Sequence, residues 1–201
     1  MDVDKAIWKK FRVKRRDTLP FTGWLKSTRE DIYELWGELG YSYGAEVGVW
    51  AGRNASQIYK SVPNLKLILV DPWVPYSGRT KKSGYMESVY EQCKKRLQHR
   101  NPEYKRMSSI EASGQIKNES LDFVYIDGMH DFNGVMMDLL CWIPKVKKNG
   151  IISGHDYFSS YQLGVVRAVD AYTYANNITQ WYITGGTSGT DNHPSYFWVK
   201  K

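Results

Sequence analysis

The sequence predicts an α/β fold: a mainly parallel sheet covered by helices on both faces. Short strands that are apolar almost throughout alternate with segments whose apolar residues recur at helical spacing, the pattern of strands buried on both sides. Glycines, acids and histidines cluster just after those strands, where ligands bind in open α/β sheets. At 201 residues the chain suits one domain, within the roughly 100–200 residues usual for one, and can bury a core without disulfide or metal staples.

The first 25 residues read as an irregular basic arm, leaving 26–201 as the folded domain. Ser27-Thr28-Arg29-Glu30 has the form of a capping box in which Ser27 and Glu30 satisfy free amides at a helix start. Ile32, Leu35, Trp36 and Leu39 follow at helical spacing, and Gly40 ends the run. Strands are predicted over 44–49, 65–71, 104–107, 121–127 and 150–154. Between them, Met86, Val89, Tyr90, Cys93 and Leu97 form one helical stripe. Val135, Met136, Leu139, Leu140 and Ile143 form another, stopped by Pro144. A last helix is expected around Val165, Val169 and Tyr172. Aromatic segments at 181–184 and 195–200, joined by a loop rich in Gly, Thr and Ser, predict an antiparallel pair.

Hydrophobic residues at 42% and charged residues at 24% are near globular averages and exclude wholesale disorder. Cys93 and Cys141 lack metal-site or redox spacing; Cys141, in an apolar stretch, is expected to be a buried thiol. The N-terminus has no signal-peptide core, and no apolar run approaches the ~18 residues of a spanning helix. A soluble cytoplasmic protein with no membrane partner is therefore expected. The net charge of +7 is concentrated in Lys9, Lys10, Arg12, Lys14, Arg15 and Arg16, in Arg79, Lys81 and Lys82, and in Lys94, Lys95, Arg96 and Arg100. Such clusters attract phosphates or an acidic substrate; the plainer reading is a solvated face plus an arm.

Four strand ends carry chemistry. The first is Glu46-x-Gly48-x-x-x-Gly52, where glycines let the backbone turn and approach a ligand, and the acid suits a cationic one. Trp50 and Arg53 stand where a dinucleotide fingerprint requires its second and third glycines. The second strand ends in Asp71-Pro72-Trp73. Asp71 lies 25 positions after Glu46, near the ~20-residue separation at which an acid accepts from ribose hydroxyls. Trp73 can stack near an adenine; the competing reading is an Asp-Pro surface turn. After the third strand, Ser109 can meet the adenine edge, cap a helix, or both. The fourth and fifth strands end in Asp127-Gly128-Met129-His130 and Gly154-His155-Asp156, so adjacent parallel strands would bring Asp127, His130, His155 and Asp156 into one cleft.

The segments E-V-G-V-W-A-G, L-V-D-P-W, S-L-D-F-V-Y-I-D-G-M-H and G-I-I-S-G-H-D-Y, spread over residues 44–170, resemble the class I methyltransferases of the macrocin O-methyltransferase-like group. That resemblance implies a Rossmann-like seven-stranded sheet of order 3-2-1-4-5-7-6 with the last strand antiparallel, matching the aromatic pair above. It implies S-adenosylmethionine as cofactor, held by Glu46, Gly48, Trp50, Gly52 and Asn54, with Asp71 on the ribose and Ser109 near the adenine; Asp127 is placed beside the cofactor as well. The related catechol-type enzymes hold a divalent cation such as Mg2+ with acids at positions matching Asp127 and Asp156. His155 stands where those enzymes carry a carboxylate. It is either a third metal ligand or, with an imidazole pKa near ~6.5, the general base, a role open to His130 also.

The expected activity is O-methylation of a small hydroxylated acceptor such as a sugar or glycoside, by a monomer or homodimer. Two alternatives keep a similar fold. One is a nucleic-acid methyltransferase using the basic arm to hold phosphates, although the Asp/Asn-Pro-Pro-aromatic motif of base-amine methylation is missing. The other is a nicotinamide-dependent oxidoreductase, which the missing glycines disfavour. A noncatalytic binding module is a further alternative, disfavoured by the presence of Glu46, Asp71, Asp127 and Asp156.

Overall fold

The computed structural model describes residues 2–13, 21–76, 82–158, 164–185 and 193–201. Lys14, Arg15, Arg16, Arg79 and Lys81 of the basic clusters, and most of the glycine-rich loop before Pro194, lie outside these residues.

Among the described residues eight strands form one sheet: β1 (Phe21–Leu25), β2 (Tyr43–Val47), β3 (Lys66–Val70), β4 (Glu103–Lys105), β5 (Leu121–Ile126), β6 (Val146–Gly154), β7 (Gln180–Thr184) and β8 (Tyr196–Val199). Their order is β1-β7-β8-β6-β5-β2-β3-β4. Read from β4, strands two to eight reproduce the expected 3-2-1-4-5-7-6, with β8 antiparallel to both β6 and β7. The difference is β1, which pairs in parallel with β7 and extends the sheet by one edge strand.

Among the described residues seven α-helices cover the sheet: α1 (Val3–Lys10), α2 (Arg29–Glu38), α3 (Arg53–Ser61), α4 (Tyr85–Arg96), α5 (Ser109–Gly114), α6 (Phe132–Trp142) and α7 (Val165–Ala175). The period-two alternation of strand side chains divides the core between two faces. On β3, Leu67 and Leu69 join the face covered by α1–α4, while Ile68 and Val70 join the face covered by α5–α7. On β2, Ala45 and Val47 belong to the second face, so Glu46 is directed toward the first.

Two expectations about the N-terminal region are corrected. The stretch expected as an irregular arm contains α1, whose Val3 and Ile7 are buried in the core, and the edge strand β1. Asp2 caps α1 by accepting from the Lys5 amide at 3.2 Å, and Trp8 Nε1 donates to the Tyr182 hydroxyl at 3.0 Å. The capping box of α2 is displaced by one residue: Thr28 is the N-cap, and the Asp31 carboxylate accepts its N–H at 2.8 Å. Cys93, rather than Cys141, is the fully buried thiol.

Among the described residues no helix is long and apolar enough to cross a membrane.

Candidate active site

The loop after β2 is built by close backbone approach. Gly48 has φ +85°, and a Cβ there would lie 2.0 Å from the Asp127 carbonyl oxygen, so only glycine allows the β2 and β5 loops to meet. Gly52, at φ +69°, faces α4; a Cβ would come within 2.7 Å of Cys93 Sγ. Trp50 adopts φ 52° without being glycine. That conformation costs energy, and Asp71 offsets it: its carboxylate accepts from the amides of Val49 at 3.1 Å, Trp50 at 2.9 Å and Trp73 at 2.8 Å. The acid expected on the ribose thus also clamps the loop. Burial raises the Asp71 carboxyl, opposed by those amides.

Glu46 sits beneath this loop, fully buried. Its Oε1 accepts from Asn54 Nδ2 at 3.0 Å, and Asn54 Oδ1 accepts in turn from the Tyr33 hydroxyl at 2.5 Å. Oε2 has no hydrogen-bond partner among the described residues. Burial pushes the carboxyl up to about 8, with the Asn54 bond acting against it. Asn54 therefore braces Glu46; both ends of its amide are engaged inside the protein.

Trp73 is placed differently from the expectation. It is 1% exposed, with its ring packed against Tyr90 and Tyr104 and its Nε1 donating to the Trp50 carbonyl at 2.8 Å. An indole buried on both faces cannot stack on an adenine; it supports the loop from below. Ser109 is the first residue of α5, while Ser108 is its N-cap. The Ser109 hydroxyl bonds to Asp138, and Trp142 Nε1 donates to it at 2.7 Å.

The ends of β5 and β6 converge as the parallel pairing requires, Ile126 lying opposite Gly154. His130 Nε2 lies 3.4 Å from Asp127 Oδ1 and 3.2 Å from Asp156 Oδ2. His155 Nδ1 lies 3.3 Å from Asp156 Oδ1 and 3.7 Å from Asp127 Oδ1. Burial pushes the Asp127 carboxyl up, but the bonds from His130 and His155 and their charge hold it below its usual value. The bond to Asp127 raises the His130 imidazole against the opposing effect of burial. Asp156 is at φ 59°, a conformation that aspartate tolerates better than most residues.

Sequence reasoning missed His193. Its Nδ1 lies 2.8 Å from Asp156 Oδ1, and its ring stacks on Phe158 at 4.1 Å. A histidine ending a polar loop carries no periodic signal; only its position before Pro194 and β8 marks it. It reaches the site because β8 pairs with β6, Tyr196 lying opposite Gly154.

A cation is compatible with this arrangement. Ligand atoms of Asp127, His130 and Asp156 all lie within 4.8 Å of one another, and buried Asp156 Oδ1 has no aligned hydrogen-bond donor among the described residues. His130 takes the place in this set that the sequence reading gave to His155, which is the deeper of the two rings, its side chain 10% exposed against 39%.

Residues 45–157, more than half of the chain, match the model of a family described as a methyltransferase domain. The chain belongs to this methyltransferase family. The methyltransferase is 29% identical over 146 residues to the uncharacterized protein y4gI of Sinorhizobium fredii. That match takes in 68% of this chain and 14% of y4gI, so the chain spans a small part of that relative. Among solved structures it is similar to a Staphylococcus aureus protein assigned as a caffeoyl-CoA O-methyltransferase, with TM-score 0.60 and 12% identity over 100% of this chain and 93% of that one. It is likewise similar to a Clostridium thermocellum protein assigned as an rRNA methylase, with TM-score 0.60 and 9% identity over 88% and 99%. Cofactor-bound Rv0187 from MTB gives TM-score 0.61 and 13% identity over 99% and 88%. At such identities the likeness speaks to the fold. Family and fold together describe a class I S-adenosylmethionine-dependent methyltransferase domain, which displaces the nicotinamide reading.

Proposed function

We propose that the methyltransferase acts on a hydroxyl oxygen of a small acceptor, such as a sugar or glycoside, in the manner of the macrocin O-methyltransferase-like group. The observation that carries this reading is the set of histidines around Asp127 and Asp156, at the strand ends beside the glycine loop. A hydroxyl is a poor nucleophile while protonated, and an imidazole held against carboxylates is suited to take its proton.

When bound, S-adenosylmethionine would supply an electrophilic methyl carbon to the acceptor oxygen, with its thioether as the leaving group. The protein's task is alignment and proton removal. Glu46 and the loop held by Asp71 provide the cofactor cradle, with the unpartnered Glu46 Oε2 suited to positive charge. His130, more exposed than His155, is the group that receives the acceptor's proton, at Nδ1, because its Nε2–H is given to Asp127 and Asp156, which orient the ring and favour its protonated form. His155 lies behind them and holds the two carboxylates in place.

Asp127, Asp156 and His130 are also the residues that would hold a divalent cation, which would lower the pKa of a bound hydroxyl. A nitrogen among the donors suits Mn2+ or another transition ion better than Mg2+.

A small acceptor is favoured over nucleic acid by the pairing of the basic side chains. Lys10 bonds to Glu34 and Glu38, Lys94 to Glu91 and Arg106 to Glu87, which reduces the charge offered to phosphates. The test is incubation with isotopically labelled S-adenosylmethionine and a panel of sugars, glycosides, phenols and oligonucleotides, read by mass spectrometry. Label in a hydroxylated small molecule supports the reading; label only in oligonucleotides overturns it.

A further inference from the structure

The outer side of α6 differs from the exposed sides of the other long helices. Charged residues occur in every turn of α2 and α4, and α7 exposes Arg167 and Asp170. In α6 the one charged residue is Asp138, which is 4% exposed and turned toward α5, where the Ser109 hydroxyl bonds to it. What α6 shows to solvent is apolar. Phe132 is 41% exposed, Met137 41% and Leu140 52%, with Met136 and Cys141 half-buried beside them.

The spacing of these residues describes two seams on one helix. Val135, Leu139 and Trp142, at i, i+4 and i+7, are buried against the sheet. On the opposite side, exposed Asn133, Met137, Leu140 and Pro144 follow one another at intervals of four, three and four. That alternation is the spacing at which one helix meets another along a narrow stripe. Ile110, 52% exposed at the start of α5, borders the outer seam, because its neighbour Ser109 bonds to both Asp138 and Trp142. A helix covering a sheet needs only the inner seam; nothing in the packing of this domain uses the outer one among the described residues.

We propose that the outer seam of α6 is the two-fold interface of a homodimer, packed on the same seam of a second copy of this chain. Charge selects that occupant. A two-fold contact is made by the same patch on both subunits, so a charged patch would meet its own sign. In a chain of net charge +7 the outer seam of α6 escapes this, because it carries no charge. Size agrees. Half-exposed side chains of this length leave roughly 100 Å² each, so Ile110, Phe132, Met137 and Leu140 with their neighbours present roughly 600–800 Å², close to the ~800 Å² per partner of a standard interface.

Sedimentation equilibrium of the wild-type protein tests this. A dimer is expected, with a dissociation constant of about 10 μM or tighter; a monomer at all concentrations up to about 200 μM would overturn the proposal. Leu140→Glu and Met137→Glu set like charges across the two-fold axis, at positions that the monomer leaves half-exposed. Their Tm is expected to stay near that of the wild type, while the dissociation constant rises at least about 100-fold. Lys95→Glu, on the exposed side of α4 against the other face of the sheet, is expected to leave the dimer intact. Undiminished dimerisation of folded Leu140→Glu, or equal dissociation of Lys95→Glu, would overturn the proposal. Methionine oxidation needs no variant. In the wild type, Met137 is expected to react with peroxide several-fold more slowly above the measured dissociation constant than below it. Equal rates would place the contact on another face and overturn the proposal as well.

Discussion

Asp71, at the end of β3, accepts the backbone amide of Trp50 at 2.9 Å, joining one strand end to the loop that follows its neighbour β2. With the amides of Val49 and Trp73 on the same carboxylate, the cofactor loop is held in shape from within the protein. Asp71→Ala removes three charge-assisted bonds while Trp50 keeps its φ of 52°. The expected loss is about 2–4 kcal/mol of stability, or roughly 5–15 °C in Tm for a domain of this size. S-adenosylhomocysteine should bind at least about 10-fold more weakly to the folded variant. Scanning calorimetry and titration of the same sample check both; an unchanged Tm would show that the three bonds do not brace the loop.

Glu46 gives the cofactor-free protein a pH dependence of definite sign. Its carboxyl is raised to about 8 from 4.5, so the native state keeps a proton that the unfolded chain releases. The resulting stability is complete below about pH 4.5 and is lost as pH rises through about 8. Glu46→Gln removes this titration. The stability of the wild type minus that of the variant should fall with pH across that window, by a total of about 5 kcal/mol. Urea unfolding of both proteins at several pH values measures it, and parallel curves would contradict the assignment.

Gly52 separates conformational from packing cost. Alanine there must adopt φ +69° and bring its Cβ toward Cys93 Sγ. Gly52→Ala is expected to cost about 2–4 kcal/mol, of which about 1–2 kcal/mol is the left-handed backbone. Adding Cys93→Ala should recover the packing part and leave the backbone part. A double-mutant cycle on unfolding free energies checks this, and full additivity of the two changes would refute the contact.

The cation reading predicts selectivity. Titration of chelator-treated protein should show Mn2+ binding more tightly than Mg2+, since His130 brings a nitrogen to the donor set. Asp156→Ala should abolish binding of both. Equal affinity for the two ions, or binding unaffected by that change, would remove the site.

What was legible in the sequence was what local rules control. Glu46, Gly48, Asp71, Asp127 and Asp156 stand at strand ends, and strand ends are visible because apolar runs stop there. Gly48 and Gly52 were readable for the same reason: positive φ is demanded by the turn itself. Trp73 was misread because a tryptophan after a strand points equally well into a cleft or into a core; burial against Tyr90 and Tyr104 decides it. The edge strand β1 was missed because its partner β7 is distant in sequence and five residues carry little pattern. His193 is brought to Asp156 only by the β6–β8 pairing. Asp138 had a signal that went unused, a lone acid on the apolar stripe of α6.

The proposed role of Asp127 and His130 is methyl transfer from S-adenosylmethionine to a hydroxyl. Its most direct measurement is the initial rate of transfer of labelled methyl to an identified acceptor by the wild type, Asp127→Asn and His130→Ala, with cofactor affinity measured alongside. Transfer by the wild type is expected, with rates lower by roughly 100-fold or more in both folded variants and S-adenosylhomocysteine still bound by His130→Ala. Full turnover by both variants would contradict it.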